Sequence, residues 1–63
     1  MAVSIIYPDA APALGDVRAL GERDLIIIAT GSRERPDWPR YMDAVGVAVT
    51  RGARLIHADE EAS

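Results

Sequence analysis

Hydrophobic positions along the chain fall into three short apolar runs, separated by two segments of longer period. Residues 2–7 form the first run, rich in valine and isoleucine and stopped by Pro8 and Asp9, which predicts a strand followed by a turn. Residues 25–29 form the second run, Leu-Ile-Ile-Ile-Ala, bounded by charges and Gly31. A continuous β-branched run of this kind predicts a strand at the centre of a sheet, covered on both faces. Residues 54–58 predict a third strand, and residues 59–63 an acidic, frayed tail.

The segments between these runs carry helical signals. Pro12 and Gly15 interrupt residues 10–14, but over residues 16–23 Val17 and Leu20 stand among charges at helical spacing. This predicts a short helix with Asp16 as its N-cap and Gly21 near its end. Residues 30–37 are polar and predict a loop containing Gly31 and Pro36. Beyond the loop two patterns compete. In the favoured one Asp37 caps a helix with Pro39 in its first turn and Trp38 at its start, and Gly52 ends it. Tyr41, Val45, Ala48 and Val49 then make one apolar stripe. In the other, the helix stops near Ala44, and Val45, Val47 and Val49 alternate as a strand that turns at Arg51 and Gly52 into the last run. That pattern gives an α+β domain with a C-terminal β-hairpin. A capped start and a glycine stop agree with each other, so the expected class is α/β. Its order is β-α-β-α-β, with a small three-stranded parallel or mixed sheet, one short helix and one longer one.

Composition adds a need for outside support. Sixty-three residues make one small domain, residues 1–63. A domain of this size buries only about 60% of the surface its unfolded chain exposes. With no cysteine and one histidine, neither disulfides nor a Cys/His zinc framework can staple it. Association with another protein chain is therefore expected, most simply with a second copy of itself. The contact expected is an exposed sheet edge, or the helix bearing Trp38, Arg40 and Tyr41, residue types that dominate binding hot spots.

A net charge of −3 argues against a nucleic-acid partner. All seven basic residues are arginine, and Lys, Asn, Gln, Phe and Cys are absent, the coding bias of a GC-rich genome. The first residues lack a basic n-region, and no run approaches the roughly 18 apolar residues of a membrane span. The expected location is the cytoplasm, or a phage particle assembled there.

Candidate chemistry is sparse. Thr30, Gly31, Ser32 and Arg33 directly follow the central strand, where α/β folds place their ligands, and glycine lets backbone N–H groups approach an anion there. Arg33 and Arg35 could neutralise a phosphate. One glycine, however, is neither a dinucleotide fingerprint nor a P-loop. His57 and Asp59 share a strand face and could pair. Asp59, Glu60 and Glu61 lack EF-hand spacing. No catalytic residue, metal site or cofactor is assigned. These features point to a non-enzymatic interaction or assembly module, homo-oligomeric and compatible with a phage origin. The alternative is a minimal Rossmann-like domain that binds a nucleotide or other anionic small ligand at residues 30–33.

Residues 25–33, Asp37-Trp38-Pro39-Arg40, the Ala/Val-rich segment after them, Gly52 and Arg54-Leu55-Ile56-His57 carry a family likeness. Together they resemble the first β-α-β unit of the YspA-like branch of the SLOG superfamily, over residues 25–59. The resemblance implies a truncated Rossmann-like domain that takes nucleotides or their derivatives. In that family the strand after the helix leads into a glycine-rich phosphate loop. Here the position reads His57-Ala58-Asp59-Glu60-Glu61, with no glycine and with carboxylates that would repel a phosphate. Residues 3–10, Val-Ser-Ile-Ile-Tyr-Pro-Asp-Ala, are similar to the opening of tail-assembly proteins of actinobacterial phages, which implies an assembly role.

Overall fold

The computed structural model describes residues 2–58 of the chain. In order, these form β1 (Val3–Ile6), α1 (Leu14–Arg18), β2 (Leu25–Ile28), a 3₁₀ turn (Ser32–Glu34), α2 (Trp38–Thr50) and β3 (Arg54–His57). The three strands make one parallel sheet in the order β1-β2-β3, so the continuous apolar run sits at its centre as expected. The register places Ile6 and His57 on either side of Ile28, and Ile5 and Ile56 on either side of Ile27.

Strand alternation divides these positions between two faces. Ile6, Ile26 and Ile28 lie on one face and are almost wholly buried. Val17 and Leu20 from the α1 segment cover them, together with Tyr41, Ala44, Val45 and Ala48 of α2 and Ala53 behind it. The helices also pack against each other. Strands that advance in one direction through crossovers of one hand place both helices on the same side of the sheet. The central strand, expected to be covered on both faces, is buried on one and half-exposed on the other. The described residues supply a layer for one face only, because the strand order never reverses.

The long-helix pattern is the one adopted, and its C-terminal stop explains why the three valines do not form a hairpin. Gly52 donates its N–H to the Val49 carbonyl (2.9 Å) and Ala53 donates to the Ala48 carbonyl (3.0 Å). This is the Schellman arrangement, with buried Ala53 against buried Ala48 closing it. Burial of Tyr41, Ala44, Val45 and Ala48 outweighs the small helix penalty of β-branched residues. Val49 does not belong to the stripe. It is 42% exposed, and Ala44 takes its place in the 41-44-45-48 spacing.

Asp37 does occupy the N-cap of α2, but its side chain makes no cap hydrogen bond. Its two carboxylate oxygens instead accept from Arg35 Nε and Nη2 at 2.9 and 3.1 Å. The short helix also departs from expectation. It starts earlier, at Leu14 with Ala13 as N-cap, and Asp16 lies inside its first turn instead of capping it. It ends at Arg18 because the following residues turn tightly. Asp24 accepts from the Gly21 N–H (2.9 Å) and the Ala2 N–H (3.0 Å), and Arg23 takes a left-handed φ of 75° between them.

Candidate interaction surface

On the sheet face away from the helices, one row contains Val3, Leu25 and Arg54 and the next Ile5, Ile27 and Ile56. Five of these six side chains are apolar. Val3 is 53% exposed, Arg54 is exposed, and the other four are half-buried by their neighbours alone. None belongs to the buried core or to the apolar residues packed against it. At one end the face runs into a hollow lined by Glu22, Arg23, Asp24, Leu25, Arg54 and Ile56, so both signs of charge border the apolar floor. A second hollow lies along the outer side of α2 between Met42, Gly46 and Thr50.

Neither hollow includes the loop that the sequence marks as a ligand site. Gly31 opens the 3₁₀ turn with φ +89° and lies against Pro8, to which an added Cβ would come within 3.5 Å. Ser32 is fully buried, and its hydroxyl donates to the Ile6 carbonyl at 2.6 Å. The same carbonyl accepts the Ala29 N–H at 2.9 Å. The expectation that Ser32 would offer a hydroxyl to a ligand is therefore corrected, because that hydroxyl ties the end of β1 to the loop after β2. Thr30 and Arg33 are exposed, and Arg33 Nη2 approaches His57 Nδ1 at 3.4 Å. The sequence thus brings Thr30, Gly31, Arg33 and His57 to the C-terminal edge of the sheet. Asp59, which the sequence pairs with His57, lies outside the described residues, as does the acidic tail.

The expected aromatic contact patch does not form. Tyr41 is 5% exposed and donates its hydroxyl to the Pro12 carbonyl at 2.5 Å. Trp38 is half-buried against the core, and only Arg40 of the three faces solvent. Tyr41 points inward, where the Pro12 carbonyl takes its hydroxyl, while Pro39 and Arg40 of the same turn are exposed. Arg35, which the sequence offers as a phosphate ligand, has a structural role that no local pattern signals. Besides its fork onto Asp37 it donates to the Tyr7 carbonyl at 2.9 Å, and its guanidinium lies 5.3 Å from the Tyr41 ring centroid.

Two carboxylates are held below their ordinary range, Asp24 by the Gly21 and Ala2 N–H groups and Asp37 by the Arg35 hydrogen bonds. The same pairing raises the Arg35 guanidinium further above its already high value. A depressed folded-state value means that these carboxylates stabilise the protein fully above their unfolded values. That contribution is lost as the pH falls through the depressed ones. The melting temperature is therefore expected to hold at neutral pH and to fall below about pH 4. Thermal melts from pH 7 to pH 2 will show this, and Asp24→Asn should flatten the acid limb.

Among the described residues no helix is long and apolar enough to cross a membrane, and no cluster of three or more His, Cys, Asp or Glu could hold a metal ion. Comparison of the chain with protein-family models, with curated proteins and with solved structures finds no match.

Proposed function

We propose that this chain is a non-enzymatic protein-interaction module whose contact surface is the helix-free face of its sheet. The uncovered apolar rows, Val3 with Leu25 and Ile5 with Ile27 and Ile56, carry this reading. All-parallel sheets are found almost only with both faces covered, so a partner surface is the natural second layer. An exposed contiguous apolar patch rimmed by charge is the ordinary mark of a protein-binding site. The setting we infer is an assembly formed in a bacterial cytoplasm, which rests on the N-terminal resemblance to phage tail-assembly proteins.

Anion binding at Thr30, Gly31 and Arg33 is the competing reading, favoured by the approach of Arg33 to His57. One set of amide spectra separates the two. Ile27→Glu should keep the wild-type far-UV spectrum and lose less than about 1 kcal/mol, as substitutions away from core features do. Millimolar ATP or inorganic phosphate should leave the amides of Thr30, Gly31 and Arg33 unmoved. Unfolding by Ile27→Glu would mean that the face is already covered, and saturable phosphate shifts in the loop would transfer the function there.

A further inference from the structure

We infer that the layer covering the open sheet face is a second copy of this chain, packed sheet on sheet about a twofold axis that runs parallel to the strands. This rests on the reading of the face as a contact surface and names its partner.

A twofold interface brings the same patch together from both copies, so the patch must complement itself. With the axis parallel to the strands, β2 lies over β2 of the second copy and β1 over its β3. The row Ile5-Ile27-Ile56 is apolar from edge to edge. It meets its own copy with Ile27 at the axis and Ile5 opposite Ile56, without placing a polar group in the centre. In the other row Arg54 comes to the β1 side of the second copy, at the same end of the sheet. There Asp24 holds the Ala2 N–H with one carboxylate oxygen. This brings a cation of one copy, over Val3, to the end of the sheet where a carboxylate of the other borders the hollow, twice per dimer. Turning the axis perpendicular to the strands gives a poorer match. It carries Arg54 to the opposite end of β3, where Arg33 and His57 already lie together.

Size limits how tightly such a pair can hold. Three strands of four residues make a floor of only about 200 Å², and the 26 and 24 Å Cα extents of the whole domain cap the footprint on the order of 600 Å² per copy. Specific interfaces begin at roughly 600 Å² per partner, so the dimer should be a weak one, with Kd in the micromolar range or above. A dimer of this kind has four layers, helices outside and two sheets inside, which ends the exposure of both apolar rows.

Sedimentation equilibrium from about 1 μM to 1 mM should show a reversible monomer–dimer step. Ile27→Glu should weaken it more than 100-fold, and Arg54→Glu about 10-fold. Because the chain has no cysteine, single cysteines report the axis directly. With a short bismaleimide, Ile27→Cys should cross-link to itself. Ile5→Cys and Ile56→Cys should cross-link efficiently only when mixed. Self-cross-linking of Ile5→Cys and of Ile56→Cys, each alone, would overturn the axis. A dimer indifferent to Ile27→Glu would overturn the face and point to pairing along a strand edge. A wild-type protein that stays monomeric at 1 mM would overturn self-association. In that last case a folded Ile27→Glu variant leaves the face reading standing, whereas an unfolded variant ends both.

Discussion

Ile26→Ala is expected to cost about 3–4 kcal/mol, within the range for truncating a fully buried isoleucine. Ile26 is 0% exposed at the centre of the middle strand, with Ser4 and Leu55 as its register partners. A domain of 63 residues has roughly 3–9 kcal/mol in all. This one methyl-rich side chain therefore decides whether the variant is folded at 37 °C. Its neighbour Leu25, one residue back on the other face, is half-buried by sheet neighbours and lacks a helix above it. Leu25→Ala should cost under about 1 kcal/mol at a concentration where the protein is monomeric. Urea unfolding of both variants measures the contrast. Equal losses would mean that the sheet is covered on both sides within one chain, against the two-layer architecture.

The same alternation shows how far the sequence could be read. Leu25 to Ala29 announces a central strand because a continuous β-branched run bounded by charges and Gly31 fits the middle of a sheet. It does not announce which neighbours the strand will have. A run of isoleucines looks the same whether both faces are covered by one chain or by two. The strand order β1-β2-β3, which among the described residues leaves Ile5, Ile27 and Ile56 without a layer, is a tertiary property with no local signal. Charge misled in a similar way. Asp16 and Asp37 both precede or begin apolar spacing and so resemble N-caps, yet Asp16 sits inside its helix, and Asp37, which does hold the N-cap position, gives its carboxylate to Arg35. Arg35 competes successfully because its fork takes both oxygens at once, whereas a capping N–H takes one.

The loop after β2 separates position from chemistry. Its place at the carboxyl end of the central strand is legible in the sequence, and the structure puts Thr30, Gly31 and Arg33 there. What Ser32 does was not legible, because a serine after a glycine reads equally as a ligand donor or as a tie to a neighbouring strand. The 2.6 Å hydrogen bond to the Ile6 carbonyl makes it the latter. Gly31 is likewise required by its own backbone, at φ +89°, before any ligand is considered. Replacing it would therefore test the fold as much as a site.

The glycine that should matter most lies elsewhere, after α2. Gly52 has φ +109°, and a Cβ built on it would stand 3.3 Å from the Glu22 Cα, a backbone atom that cannot swing away. Gly52→Ala therefore meets both a left-handed backbone penalty of about 1–2 kcal/mol and a steric one. It also loosens the Schellman turn that directs the chain from Ala48 into Ala53 and β3. For a domain of this length the melting temperature should fall by about 8 °C or more. Gly46 provides the opposite case on the same helix, since nothing lies within 4 Å of an added Cβ there. Gly46→Ala should raise stability by about 1 kcal/mol through helix propensity. Differential scanning calorimetry of the two variants at equal concentration should move the midpoint in opposite directions. If both shifts are small, the turn at Gly52 does not hold β3 in register, and the third strand must be fixed by its pairing with β2 alone.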